Sequence, residues 1–513
     1  MKKETMLLYT ADDMKKTEAA ADALGHSYAE MMRMAGEGAA DVILSRFDLR
    51  GKSCVVFCGR GNNGGDGYVA ASRLLQHDVL VTAVSLGSAP TSEHALGQYE
   101  RAVKNGLYIM DWQDERVKAL CERADLVIDA ICGTGFHGQL REDALYCCEL
   151  INNAPCPVCA FDLPTGVCAD DGTVAPGSVG ADLTITFHGC KPGQLILPGR
   201  TYCGEVVCVD IGIMEEADQP SEEHIYIDRD YVISRIPPRP EECNKGTFGR
   251  LLAVVGGEKY MGAALLATDA ALRSGAGYVQ LASTAKVCDV LLPSVPEIIM
   301  TRCAADHEGG IDGQVAHHLC EQAERATALL VGCGLGTGSG AAHVVEVLLQ
   351  NSTSPLVLDA DGINLLAQNI SLLKKRRCEL ILTPHPAEFA RLLGVSTAEV
   401  LANRLQLGRE FAQKHDLTLL LKGSCTMIFT PDGLCRYADA GTPGLAKAGS
   451  GDVLAGLIGG LLAQGLAPAD AAACGAWLHG RAGTLAARQN SVAAMLPRDV
   501  VNCLGKAFLE CGR

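Results

Sequence analysis

Positive charge is what this chain has too little of: 44 Lys and Arg stand against 60 Asp and Glu, a net charge of −16. That balance excludes a nucleic-acid surface or a face for anionic membranes, both of which want clustered Lys and Arg. A phosphate ligand must then be held by backbone dipoles and a few local cations. Long apolar runs are missing too. None reaches membrane-spanning length, and Met1-Lys-Lys-Glu-Thr lacks the apolar core of a signal peptide. Paired metal-binding cysteines are also absent. Cys156-Pro-Val-Cys159 has redox spacing, but no second Cys/His pair completes a site. The 23 cysteines sit inside apolar runs, as Cys54 and Cys58 do around Val55-Val56-Phe57, the pattern of buried thiols in a reducing compartment. A cytoplasmic protein is expected.

What is present is glycine and alternation. With 513 residues, 57 of them glycine, 48% hydrophobic and 20% charged, the chain reads as a glycine-rich α/β protein too long for one core. A helix-like stretch from Ala11 to Arg46 precedes strand-like runs at Ser53–Cys58, Val79–Ser85, Leu126–Ala130, Val158–Asp162, Leu183–Phe187 and Glu205–Val209. Beyond the stiff Ile236-Pro-Pro-Arg-Pro segment, strands recur at Arg250–Val255, Gly277–Ala282, Ala328–Val331, Leu356–Asp359, Leu380–Thr383 and Thr418–Leu421. Strands alternating with helices imply right-handed crossovers and parallel sheets, with ligands beyond the strands' carboxyl ends. Ile211 to Glu223 is acidic and aperiodic, and the proline segment acts as a linker, so a border falls between residues 213 and 243. Two domains are expected, 1–215 and 225–513, with symmetric association of copies.

The densest chemistry lies in Gly441-Thr-Pro-Gly-Leu-Ala-Lys447-Ala448-Gly449-Ser450-Gly451-Asp452. A glycine-rich turn opens into an apolar helix, whose N–H groups and dipole favour a phosphate. Asp452 beside that site would repel the ligand unless it removes a proton from a hydroxyl about to receive a phosphoryl group. A helix cap explains Ser450 and Asp452, but not the flanking glycines or Thr442-Pro-Gly.

In the first half, Gly59-Arg-Gly61-Asn62-Asn63-Gly64-Gly65-Asp66-Gly67 follows a strand. It contains G-x-G-x-x-G, yet no acidic residue closes the second strand, and Asp66 would repel a pyrophosphate. Asparagines and an aspartate suit ribose hydroxyls, an amide or an oxygen-bound cation. Asp129 precedes Ala-Ile-Cys-Gly133-Thr134-Gly135-Phe136-His137-Gly138-Gln139, and Asp162 precedes Leu-Pro-Thr165-Gly166. All sit at strand ends, so topology brings them to one crevice.

These motifs resemble the N-terminal domain of the YjeF family, the NAD(P)H-hydrate epimerases, over about Thr10 to Ile213. The resemblance implies a Rossmann-like α/β/α sandwich. It also implies that Asn62 to Asp66, Gly133 to Gln139 and Asp162 hold a hydrated nicotinamide dinucleotide, with Asn63, Asp129 and Thr165 as K⁺ ligands. Threonine stands at 165 where the family usually has serine; the hydroxyl is kept.

The second half carries Asn244-Lys245-Gly246, Val255-Gly256-Gly257 with Gly262-Ala263, Cys333-Gly334-Leu-Gly336, Thr383-Pro-His385-Pro-Ala-Glu388 and Lys422-Gly423-Ser424-Cys425-Thr426, again at strand ends. Together they resemble the C-terminal YjeF domain, the ribokinase-like NAD(P)H-hydrate dehydratase, over about residues 225 to 510. By that resemblance Ala263, Gly336, His385 and Asp452 line the substrate site, while Lys422 to Thr426 and Gly451 face an adenine nucleotide. Lys447 and Ala448 depart from the family's G-M-A-T-G-G-S-G-D; Lys447 is expected to add a cation at the phosphate.

The resemblance implies a bifunctional enzyme for NADHX and NADPHX. One domain interconverts R and S epimers with Asp162 as acid/base. The other dehydrates the S form using ADP or ATP and Mg²⁺, with Asp452 as base. Fused forms favour ADP. Two rivals stay open: a small-molecule kinase of the hydroxymethylpyrimidine or hydroxyethylthiazole type, and a protein whose first half senses nicotinamide dinucleotides and regulates the second.

Overall fold

The computed structural model describes residues 7–87 and 89–513, which divide into two compact units meeting between His224 and Ile225. Met1-Lys-Lys-Glu-Thr, on which the signal-peptide expectation rests, lies outside the described residues. Among the described residues no helix is long and apolar enough to cross a membrane. None of the 23 cysteines, all among the described residues, is in a disulfide, and Cys208 and Cys243 are the exposed ones.

The first unit is built on β1 (Ser53–Cys58), β2 (Leu80–Ser85), β3 (Tyr108–Asp111), β4 (Leu126–Ala130), β5 (Val158–Phe161), β6 (Leu183–Phe187) and β7 (Glu205–Val209). They lie in the order β3-β2-β1-β4-β5-β6-β7, every neighbouring pair parallel. Strands β4, β5 and β6 are wholly buried, as strands covered on both faces must be. One layer of the core gathers Ile43, Tyr68 and Leu74; the other gathers Phe57, Val127 and Ile151. Strand order reverses between β1 and β4, and that reversal opens a crevice at the carboxyl ends.

Two sequence expectations need correction here. Ala11 to Arg46 is not one helix: Ala11–Ala23 and Tyr28–Arg46 are separated at Gly25, whose φ is +97°, and Ser27 caps the second helix. Strand β3 carries too little buried apolar surface to be read from its sequence, having one buried residue in four.

The second unit has β8 (His224–Tyr226), β9 (Arg250–Val254), β10 (Tyr278–Thr284), β11 (Ile299–Cys303), β12 (Ala328–Val331), β13 (Leu356–Leu358), β14 (Leu380–Leu382), β15 (Thr418–Leu421), β16 (Thr426–Phe429) and β17 (Cys435–Ala438). Their order is β11-β10-β9-β12-β13-β14-β15-β16-β17-β8. Pairing is parallel from β11 to β15, and β16 and β17 extend the sheet antiparallel. Order reverses between β9 and β12. The Ile236-Pro-Pro-Arg-Pro segment falls inside this unit, after the helix Arg229–Arg235. Val232 and Ile236, just ahead of the prolines, pack into this unit's core, so the segment lies within one unit.

The helix Ser450–Ala463 is apolar nearly all round and buried along almost its whole length. Glycine lets it approach the helix Met261–Arg273, because a Cβ at Gly456 would stand 2.0 Å from the Ala267 carbonyl oxygen. This packing aims the Ser450 end at the crevice between β9 and β12.

Candidate active sites

In the first unit, the helix Asn62–Leu75 starts almost directly after β1, so Asn62 to Gly67 form its opening turns. Close packing demands the glycines: a Cβ at Gly59 would lie 1.9 Å from Ile131 O, and one at Gly64 would lie 2.0 Å from Gly59 O. A cleft of about 1060 Å³ opens there, lined by Asn62, Asn63, Asp66, Gly133, Asp162 and Lys191 among others.

Asp162 occupies left-handed backbone space at φ +63°, which turns its carboxylate into the cleft. Its Oδ2 accepts from the Thr134 N–H at 2.7 Å, and its Oδ1 lies 2.6 Å from Lys191 Nζ. Gly133 leaves room for this, since a Cβ there would meet Asp162 Oδ2 at 2.5 Å. Lys191 is 1% exposed and also donates to Thr186 Oγ1 at 2.8 Å and Phe187 O at 3.1 Å. One ammonium faces three carboxyls. Burial, then Asp162, pushes the Glu18 carboxyl up to about 7, against the pull of Lys191. Burial also holds Asp66 well above the carboxylate range, with Asp162 and Glu18 adding to the effect.

Below the cleft, Asp129 is fully buried. It accepts from Thr165 N at 2.7 Å, Thr165 Oγ1 at 2.7 Å and Ile131 N at 3.1 Å. Burial raises it to about 6 despite those bonds. Asn63 donates through Nδ2 to Phe161 O at 3.3 Å, but its Oδ1 is buried without a hydrogen-bond partner. An orphaned buried amide oxygen, a buried carboxylate and a hydroxyl are oxygen donors of the kind a hard monovalent cation takes.

In the second unit, residues from the carboxyl ends of four strands, β12 to β15, come together beside the reversal between β9 and β12. Asp359, just past β13, is 1% exposed and accepts from Lys422 Nζ at 2.8 Å and Thr383 Oγ1 at 2.7 Å. Cys333 Sγ contacts its other oxygen at 3.6 Å. Asp452 stands in the first turn of the helix Ser450–Ala463, and ligand atoms of Cys333, Asp359 and Asp452 lie within 4.8 Å of one another. Burial first, then Asp359, pushes the Asp452 carboxyl up to about 6, with Lys422 pulling the other way. Lys422 also approaches the turn itself: a Cβ at Gly451 would stand 3.4 Å from its Nζ. Gly449, at φ +98°, folds the turn into the helix start, where the Ser450 N–H donates back to Lys447 O at 3.2 Å.

His385 caps the helix Pro386–Leu393, its Nδ1 accepting from the Ala387 N–H at 3.1 Å, and its Nε2 lies 3.5 Å from Glu388 Oε1. Gly336 N donates to Asp361 Oδ2 at 2.8 Å. Ala263 sits in the opening turn of the helix Met261–Arg273, against Gly334.

The family described as NAD(P)H-hydrate dehydratase matches residues 252–506, and the one described as YjeF-related protein N-terminus matches residues 28–193. A bifunctional NAD(P)H-hydrate repair enzyme from Moorella thermoacetica is 36% identical over 92% of this chain and 91% of its own. This chain belongs to that family. The Escherichia coli K12 enzyme of the same name is 33% identical over 97% of this chain and 93% of its own. A solved structure, a hypothetical protein from Streptococcus mutans, has a TM-score of 0.50 and 28% identity, covering 56% of this chain and 100% of that one.

Within the repair-enzyme family fold, the residues singled out from sequence occupy different depths. Asn62, Asn63, Asp66, Gly133 to His137, Gln139 and Asp162 line the first cleft. Gly64 and Gly65 are buried in packing. Asp129 and Thr165 are wholly enclosed. In the second unit Gly423 and Ser424 are exposed, while the Cys425 side chain is buried and leaves only its backbone for a ligand. Lys447 does not face a phosphate: its Nζ donates to the carbonyls of Ala493 and Met495, each at 2.6 Å. Sequence reading passed over Lys191, Glu18 and Asp359. Lys191 follows a strand end in Gly189-Cys-Lys, but a lone lysine carries no sign of burial.

Proposed function

We propose that this chain repairs hydrated nicotinamide dinucleotides, epimerising R- and S-NAD(P)HX in the first unit and dehydrating S-NAD(P)HX in the second with ADP or ATP. One observation carries the dehydratase reading: Asp452, its carboxyl raised to about 6, stands at a glycine-flanked helix start beside Lys422 and Asp359. At neutral pH it takes the proton from the C6 hydroxyl as that oxygen receives the terminal phosphoryl group of ADP or ATP, whose bond to the nucleotide breaks to release AMP or ADP. In the turn from 449 to 451, the N–H groups of Gly449 and Gly451 would stabilise the developing charge, the Ser450 N–H being taken by Lys447 O. The C6–O bond then breaks with departure of phosphate, the ring nitrogen supplies its electron pair, and loss of a C5 proton restores the double bond. Lys422 to Thr426 and Gly451 meet the nucleotide; Ala263, Gly336 and His385 meet the hydrated ring and its ribose. Cys333, Asp359 and Asp452 do not suit Mg²⁺, which wants oxygen donors, and Asp359 is already committed to Lys422. Mg²⁺ on the nucleotide's own phosphates would neutralise their charge.

In the first unit, Asn62 to Asp66, Gly133 to Gln139 and Asp162 hold the dinucleotide. Glu18 keeps its proton near neutrality and gives it to the departing hydroxyl, leaving water and a planar iminium. Water adds to the opposite face, and Asp162, paired with Lys191, accepts its proton. Asn63, Asp129 and Thr165 would hold K⁺, which supplies a fixed positive charge for the substrate's phosphate. The domain limits we assign are 1–215 and 225–513, the compartment is the reducing cytoplasm, and copies associate symmetrically.

Incubation of separate R- and S-NADHX with ADP or ATP, followed by NADH absorbance, tests both halves. Full conversion of both epimers is expected. Recovery of S alone would make the first unit a sensor, and stable phosphorylation of another alcohol without NADH would favour a kinase.

A further inference from the structure

A recess of about 270 Å³ opens one residue on from Gly336, walled by Thr337, Asn364, Ala367, Gln368 and Arg391. Its walls come from the elements that also carry the dehydratase site. Thr337 follows Gly336. Asn364 lies three residues beyond Asp361, which binds the Gly336 N–H. Arg391 rides the helix that His385 caps, about 9 Å further along at 1.5 Å per residue. These shared segments set the recess beside Gly336, at the rim of the dehydratase site.

Charge makes it more than a dent. The crevice holds Asp359, Asp361, Glu388 and Asp452, and the dinucleotide brings further negative charge. The lysines nearest the chemistry are committed: Lys422 to Asp359, and Lys447 to two carbonyls. Arg391 is not. Its guanidinium donates to Asn364 Oδ1, and among the described residues it pairs with no carboxylate. An arginine in a helix's last turn complements the helix dipole without further company. Here a hydroxyl and two side-chain amides surround it as well, the donor set of a phosphate site.

We propose that Thr337, Asn364, Gln368 and Arg391 form an anion subsite that takes a phosphate group of the hydrated dinucleotide. The proposal rests on the dehydratase reading above and extends it from the reacting ring to the other end of the substrate. Two phosphates share this chemistry: the pyrophosphate bridge, common to NADHX and NADPHX, and the 2′-phosphate, found only on NADPHX.

The test uses the full chain with Arg391→Gln and, as a second variant, Thr337→Glu, which places a negative charge at the rim. KM for S-NADHX and S-NADPHX is measured at saturating ADP. A rise of about 10- to 100-fold with kcat held within about twofold is expected. A rise for both substrates assigns the bridge; a rise for NADPHX alone assigns the 2′-phosphate. Unchanged KM for both substrates in variants that melt like the parent overturns the subsite. Calorimetric titration of S-NADPHX into Asp452→Asn, with and without Arg391→Gln, reads binding without turnover. A parent chain, with Asp452 intact, that binds S-NADPHX but never forms NADPH with ADP or ATP refutes the dehydratase reading alone. Equal affinity with and without Arg391 refutes the subsite alone, and no binding at all refutes both.

Discussion

Asp452 is pulled two ways. Burial and Asp359 disfavour its charge while Lys422 supports it, and the result is a carboxyl near 6, poised to act as a base at neutral pH. With Asp452 as the proposed base its ionised form does the work, so kcat for dehydration should fall as pH drops through about 6, tenfold per unit below it, and level off above. Asp452→Asn should reduce NADH formation at least about 1000-fold. The same change should stabilise the fold. An aspartate whose folded value lies above its unfolded one costs stability progressively as pH rises from the unfolded value to the folded one, and the cost is complete above about 6, so at pH 7 the asparagine relieves about 1–3 kcal/mol. A melting temperature below that of the parent would contradict this account. Asp452 and the glycines around it were legible because the turn needs those residue types in that order. Asp359 was not, because Leu356 to Asp359 reads as an ordinary strand end, and its tie to Lys422 spans 63 positions of chain.

Among elements, the helix Ser450–Ala463 matters most, because its placement decides where Asp452 points. It is apolar on every side, so hydrophobicity buries it without choosing a rotation. Glycine chooses. Gly456 lets it seat against Ala267, and Gly460 has Ser274 Oγ 2.0 Å from where a Cβ would stand. Gly456→Val should therefore cost about 3 kcal/mol or more, through overpacking against backbone that has nowhere to move. Urea unfolding measures it, and a loss below about 0.5 kcal/mol would show that the contact is slack. Helix starts and strand cores were read well from sequence, since their apolar runs and glycines are local. The break at Gly25, the edge strands β3 and β11 and the antiparallel pair β16 and β17 were not. Edge strands bury little, and the hairpin follows Lys422-Gly-Ser, which reads equally well as a binding turn.

At the scale of the whole chain, each unit has its own sheet, its own order reversal and its own crevice. Independent chemistry is the consequence. Asp162→Asn should cut R-to-S interconversion at least about 100-fold and leave S-NADHX dehydration within about twofold. Asp452→Asn should do the reverse. Chiral chromatography of NADHX alongside NADH absorbance separates the two, and a variant that loses both activities would refute independent sites.

By itself, the order of residues determined the α/β class, two families of strand-end motifs and the Asp452 turn, because each is written within about a dozen neighbouring positions. Tertiary structure alone decided which of those residues are deep and which are reachable. It enclosed Asp129 and Thr165, left the Asn63 oxygen without a donor, committed Lys447 to two carbonyls and set Lys191 among three carboxyls. Burial and long-range pairing depend on how a dozen separated segments stack, and no local pattern carries that information.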